Sequence, residues 1–250
     1  MKFENKVAIV TGGARDLGRA ISVGLASRGA KVVINYFDNP EDATATKEMI
    51  ENAGGQAITV QGDMTKADDV KKLFEASKEA FGEKLDVLVN VVGGIVGRKV
   101  ITEQDEKWYD FLMDVNMRST WLCTREAVPM MSEGGSIVNF SSQAGRDGGG
   151  PGASLYATSK AAVMCFTRSM AKELGPKGIR VNALAPGMIN TSFHDIHTKA
   201  EARTNLANTA PLRREGNATE VADLVCYLAS DESSYVTGTN IDINGGTLFS

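Results

Sequence analysis

Cysteine and histidine are scarce in this chain. The three cysteines, Cys123, Cys165 and Cys226, are odd in number and far apart, and no C-x-x-C occurs. This excludes a disulfide framework and offers no thiolate zinc site. All three are expected to be inert core residues, as free cysteines commonly are. The two histidines, His194 and His197, are too small a set to make a metal centre. Long apolar runs are also missing. None approaches the ~20 residues of a membrane helix, and the start "MKFENKVAIVTGG" has too short an apolar stretch for a signal peptide. There is no excess of basic residues: 27 Lys and Arg face 31 Asp and Glu, for a net charge of -4. That argues against non-specific binding of nucleic acid, which draws on a basic surface. Internal repeats, low-complexity tracts and linkers are absent as well. The expectation is a cytoplasmic protein of one domain, residues 1–250, with neither nucleic acid nor membrane as partner.

What is present is an alternation. Short runs rich in Val and Ile recur: "KVAIVT" from Lys6, "KVVINY" from Lys31, "AITVQ" from Ala57, "LDVLVNVV" from Leu85, "SIVNFSS" from Ser136, "IRVNALA" from Ile179 and "TNIDI" from Thr239. Strands apolar on both faces suit a parallel sheet covered by helices on each side. Between them lie helical patterns. Asp68 to Phe81 carries Val70, Leu73, Phe74 and Phe81 on one stripe, with Thr65 as its expected cap. Glu41 to Asn52 is another, stopped by Gly54 and Gly55. The reading is an α/β fold with a single doubly wound parallel sheet of about seven strands.

The first run leads into "TGGARDLGRA", Thr11 to Ala20. A strand, a glycine turn and a helix in that order cradle the pyrophosphate of a dinucleotide on main-chain N–H groups and the positive helix end. Gly12 and Gly18 bound the turn. Asp16 is the anomaly, a negative charge beside an anion site. It is read as the N-cap of the helix, with Arg15 and Arg19 offsetting its charge. A second pattern is "YATSK", which sets Tyr156 and Lys160 at i and i+4 on one helix face. An ammonium beside a phenol lowers its pKa from about 10 and equips it to exchange a proton with a carbonyl or alcohol oxygen. Fourteen residues before Tyr156, "SIVNFSS" ends in Ser142, placed to bond an oxygen as charge develops on it.

Taken together, these motifs resemble the short-chain dehydrogenase/reductase family from about Lys6 to Gly246. The turn is similar to its T-G-x-x-x-G-x-G signature, with Asp16 in place of the middle glycine. The resemblance implies a Rossmann-like fold and a catalytic tetrad. Asn116, in "DVNMRST", would hold a relay water, and Ser142 rather than Ser141 would orient substrate. Tyr156 would be the acid/base, and Lys160 would bind the nicotinamide ribose. It further implies cofactor contacts from Gly12, Arg15, Asp16, Leu17 and Gly18, and from Asp63 and Met64 near the adenine. Asn90 and Gly93 in "NVVGG" belong to the same set, although Val91 and Val92 depart from the family's N-N-A-G. In "PGMINT" the contacts would be Pro186, Gly187, Ile189 and Thr191. An acid at the end of the second strand would select NAD(H). Asn35 and Tyr36 stand there instead, and Arg15 could meet a 2′-phosphate, so NADP(H) is favoured with NAD(H) left open.

For substrate, the loops hold Arg98, Lys99 and Arg146, and a lid over about 190–214 holds His194, His197 and Arg203. A solvated cationic surface is one reading. The other is a small anionic substrate, such as a keto acid or a uronate-derived sugar, gripped by arginine. The chain also resembles sugar dehydrogenases and 3-oxoacyl-carrier-protein reductases of the family. A non-catalytic nucleotide sensor is the reading from another class. By resemblance, homotetramers would form through the helices around Asp105–Met131 and Tyr156–Leu174.

Overall fold

The structure is a computed structural model that describes residues 1–192 and 200–249. Seven parallel strands form one sheet: β1 (Val7–Thr11), β2 (Lys31–Tyr36), β3 (Gln56–Gln61), β4 (Val87–Asn90), β5 (Ser136–Phe140), β6 (Arg180–Pro186) and an edge strand, Asn240–Ile243. Each overlaps one of the Val/Ile-rich runs. From edge to edge the order is β3-β2-β1-β4-β5-β6 and then Asn240–Ile243. The chain winds outward from β1 to β3, then returns to lay β4 against the other side of β1. The register pairs Thr11 with Asn90 and Asn90 with Asn139. The carboxyl ends of β1, β4 and β5 therefore form one level lip at the point where strand order reverses, the usual place for a ligand in such sheets.

Alternation along the strands divides the core in two. Ala8 and Val10 face one side with Ile21 and Leu25 of α1 (Asp16–Ala26) and with Val221, Val225 and Leu228 of the helix Ala218–Ala229. Val7 and Ile9 face the other side with Val70, Leu73 and Phe74 of α3 (Ala67–Phe81) and with Leu122 and Leu174. Full burial of each Leu or Ile contributes about 1.5–3 kcal/mol. Arg180 fastens the far end. Its buried guanidinium donates to the carbonyls of Leu228 (2.7 Å) and Ser230 (2.9 Å) and to Ser233 Oγ (2.7 Å), a cation at the negative end of the helix Ala218–Ala229.

Local expectations are corrected in several places. Residue 66, not Thr65, precedes α3, because the Thr65 hydroxyl donates to Asp63 Oδ1 at 2.8 Å in a tight Asx turn. The second helix, α2 (Pro40–Asn52), starts on Asn39, whose side chain accepts from the Asp42 N–H. Cys123 and Cys226 are buried, but Cys165 is exposed, because it lies on the outer face of its helix. A small parallel pair, β7 (Ile189–Asn190) and β8 (Gly216–Asn217), joins the two ends of the lid region and was not foreseen. No helix among the described residues is long and apolar enough to cross a membrane.

Candidate active site

β1 runs into the glycine turn, which is braced from within. The Gly12 N–H donates to Asn35 Oδ1 (3.0 Å), and Asn35 Nδ2 donates to the Gly62 carbonyl (3.0 Å). Buried Asn35 is thus a strut between three strand ends, not a surface for ribose. A methyl carbon on Gly18 would stand 1.9 Å from the Gly12 carbonyl oxygen, so only glycine lets α1 begin this close to the turn. The first N–H groups of α1 have no side-chain cap. A cradle of free N–H donors at a positive helix end suits a diphosphate.

Asp16 does not provide that cap, contrary to the sequence reading. It lies within the first turn, at a φ of +49°. An L-residue in the left-handed region costs about 1 kcal/mol, and aspartate tolerates it better than most. So turned, the carboxylate meets Ser192. It accepts the Ser192 N–H at 2.9 Å on Oδ1 and the Ser192 hydroxyl at 2.5 Å on Oδ2. Arg19 does not offset this charge either. It donates to Asp42 Oδ1 (2.7 Å) and Thr46 Oγ1 (2.8 Å), tying α1 to α2. Arg15 is exposed on the crevice wall.

The catalytic candidates come from three elements. α4 (Glu106–Met113) and α5 (Ser119–Ala127) are joined by a π turn, Asp114–Arg118, in which the Ser119 N–H reaches the Asp114 carbonyl five residues back. Such one-residue insertions often mark functional positions. This one presents fully buried Asn116 to the strand-end loop: Oδ1 accepts the Gly94 N–H (2.9 Å), and Nδ2 donates to the carbonyls of Gly94 (3.1 Å) and Leu112 (3.0 Å). Its amide is fully engaged. Its main-chain carbonyl accepts the Thr120 hydroxyl (3.1 Å).

From β5, the two serines part ways. Ser141 Oγ bonds the Asn240 amide at 2.6 Å, whereas Ser142 Oγ accepts the Ala144 N–H at 3.2 Å and lines the crevice together with Tyr156. Tyr156 and Lys160 sit near the start of the long helix α7 (Ser154–Leu174), which follows the one-turn helix α6 (Ala144–Asp147). Lys160 Nζ donates to the Phe140 carbonyl at 2.9 Å. Burial lowers its pKa to about 8. Gly93 closes the floor. A methyl carbon there would lie 2.6 Å from Asn116 Oδ1 and 2.7 Å from Lys160 Nζ.

The phenol departs from expectation. Its pKa is raised, not lowered. Desolvation by the surrounding protein is the largest cause. The nearby Ser142 hydroxyl and the charge of Arg98 pull the other way and do not prevail.

Gly93, Ser142, Tyr156 and Lys160 line a crevice of about 510 Å³. Of the residues singled out from sequence, it collects Gly12, Arg15, Asp16, Leu17, Gly18, Gly93, Arg98, Ser142, Tyr156, Lys160, Pro186, Gly187, Ile189 and Thr191. Asn35, Tyr36, Asp63, Met64, Asn90 and Asn116 are not on its wall. Asp63 is bound up in its own turn, and Met64 is a core side chain beside Cys123. Asn90 donates to Asn139 Oδ1 (2.9 Å) beneath the lip.

Arg146 is turned away as well. Its guanidinium pairs with Asp242 (3.1 Å) and donates to the Asn240 carbonyl (2.6 Å). Arg203 pairs with Glu215. His194 and His197 lie outside the described residues. A second cavity, also about 510 Å³, shares Ser142, Ala144, Pro186, Gly187 and Ile189 with the first and extends past Gln143 and Met188 to Leu212 and Asn244. Ser192 and Gln143 are residues of these walls that sequence reasoning missed. Neither belongs to a spaced motif.

A family model described as enoyl-(acyl carrier protein) reductase matches residues 12–247. The 3-oxoacyl-[acyl-carrier-protein] reductase FabG of Staphylococcus aureus is 37% identical over 243 residues, covering 96% of this chain and 97% of that protein. The short-chain dehydrogenase/reductase of Serratia marcescens superposes with a TM-score of 0.93 at 32% identity, covering 98% of this chain and 99% of that one. A short chain dehydrogenase of Burkholderia cenocepacia, solved in complex with NADP, gives 0.91 at 34% identity and covers 98% and 99%.

Proposed function

The chain belongs to the short-chain dehydrogenase/reductase family, and from that premise we propose that it is an NADP(H)-dependent carbonyl reductase, its 250 residues forming one catalytic domain. When bound, the nicotinamide supplies or accepts the hydride. The residues that would hold the dinucleotide are the Gly12–Gly18 turn at the diphosphate, Arg15 at the 2′-phosphate, and the main chain of Ile189 at the carboxamide. Ser142 holds the substrate oxygen, Tyr156 moves the proton, Lys160 carries positive charge on the crevice floor, and Asn116 supports a water through its carbonyl.

The observation that carries this reading is Ser142, Tyr156 and the buried Lys160 brought together on the wall of one crevice, at the strand-order reversal. From this position the phenol can give a proton to the oxygen of a carbonyl being reduced, or take one from an alcohol being oxidised.

For substrate, the reading narrows to a small polar compound bearing a carboxylate, a keto acid or a uronate-derived sugar, with Arg98 as its partner. Arg98 lies on the crevice wall near enough to Tyr156 to act on its charge, and Nη1 is steadied by the Pro151 carbonyl at 3.1 Å. Arg146 has no part in it. A second reading is reduction of 3-oxoacyl thioesters, favoured by the Staphylococcus aureus relative; sugar oxidation is a further form of the same chemistry. We also assign the chain to a homotetramer, with no nucleic acid or membrane as partner.

The test is NADPH oxidation, followed by absorbance, against 2- and 3-keto acids, their neutral esters, sugar acids and a 3-oxoacyl thioester. Tyr156→Phe should lose about 10²–10⁴ in turnover while still binding NADPH. Arg98→Ala should raise KM about tenfold for the acids, in keeping with loss of a charge-assisted contact, and leave the neutral esters unchanged. Equal effects on acids and esters remove the carboxylate assignment. NADPH binding without turnover of any compound would mean a nucleotide sensor.

A further inference from the structure

The glycine turn contains an anion of its own. Asp16 is held in the left-handed region at the start of α1, and its carboxylate takes both hydrogen-bond donors of Ser192, the N–H at 2.9 Å and the hydroxyl at 2.5 Å. Both residues line the crevice that holds Tyr156, Lys160 and Arg15. Among the described residues no cation pairs with the carboxylate. Arg19 is committed to Asp42, and Arg15 is exposed with no carboxylate partner among the described residues. We propose that Asp16 is an internal competitor for the cofactor's phosphates: it occupies the donors of Ser192 that an incoming diphosphate would use, and so sets the affinity for the dinucleotide. This rests on the crevice being the dinucleotide site.

The physical argument concerns donors. A diphosphate leaving water needs its oxygens met by N–H or O–H groups. On one side of the crevice the first turn of α1 provides them. On the other, Ser192 presents two, and both already serve a charged acceptor at short distance. Binding therefore either breaks two charge-assisted bonds or forgoes the Ser192 contacts. Either route weakens association relative to a chain with glycine at residue 16. Simple repulsion between Asp16 and the phosphates would weaken it too, but would not depend on Ser192.

That difference makes a double-mutant cycle decisive. NADPH dissociation constants are measured by fluorescence titration at one ionic strength for the wild type, Asp16→Gly, Ser192→Ala and the double variant. Asp16→Asn is added, because it keeps an acceptor and tolerates the same backbone. Asp16→Gly should bind NADPH about tenfold more tightly than wild type. The gain should fall to about twofold in the Ser192→Ala background, and Asp16→Asn should lie between. In the nucleotide-free protein, amide hydrogen exchange at Ser192 should accelerate about tenfold in Asp16→Gly, since its acceptor is gone.

Equal gains with and without Ser192, weaker binding by Asp16→Gly, or unchanged exchange at Ser192 each overturn the proposal, while NADPH binding by all variants leaves the cofactor reading standing. Failure of NADPH to bind to any of them takes down the cofactor reading, and this proposal with it.

Discussion

Lys160 is an ammonium with almost no access to water, anchored by one carbonyl. Its proton is held less tightly in the folded chain, where the pKa is about 8, than in the unfolded chain. From about pH 8 up to the ordinary lysine range, the unfolded state therefore binds more protons, and folding stability rises with pH over that window. Lys160→Met removes this dependence. Melting curves at about pH 7 and about pH 10 should show the wild type gaining on the variant as pH rises, while turnover of the variant falls by about 10²-fold or more. A constant gap between the two proteins would contradict the buried-charge account. The identities of Tyr156, Lys160 and Ser142 were legible in the sequence because each sits in a spaced motif. The state of the phenol was not. A motif gives the neighbour along the helix, whereas burial and the carbonyl of Phe140, which occupies the lysine, come from other parts of the chain.

The informative elements are the interrupted ones. The π turn between α4 and α5 brings Asn116 against Gly94, and Gly93 must lack a side chain for Asn116 and Lys160 to share the floor. Gly93→Ala forces a methyl between two anchored groups at a φ of +148°. Overpacking of this kind costs about 1–3 kcal/mol, so the melting temperature should fall by about 5 °C and turnover should fall with it. An unchanged melting temperature would mean that the floor yields freely. The seven strands were legible because runs of Val and Ile buried on both faces have few other uses. The π turn was not, since one inserted residue leaves no mark on composition. Nor were β7 and β8, because two residues show no period. Thr65 misled as a cap because its hydroxyl had a nearer partner in Asp63.

At the scale of the whole molecule, apolar side chains remain on the outside of the α4–α5 arm. Tyr109, Phe111 and Trp121 are 49%, 46% and 42% exposed. Such faces are characteristic of contacts between subunits, and this one falls on the helices through which tetramers were expected to form. Replacing Phe111 and Trp121 together with glutamate should reduce the mass seen by light scattering from that of the proposed tetramer to a smaller species. An unchanged mass would place the contact elsewhere.

The far edge of the sheet bears on how the molecule comes into being. Pro186 pairs with Ile243, the Gly187 N–H donates to the Ile243 carbonyl (3.0 Å), and the Leu212 N–H donates to the Gly245 carbonyl (3.2 Å). The wall beneath the second cavity is therefore hung on residues that leave the ribosome after Asn116, Ser142, Tyr156 and Lys160. The residues of the glycine turn and of the helix that carries Tyr156 are synthesised before the strand Asn240–Ile243 that fixes this wall.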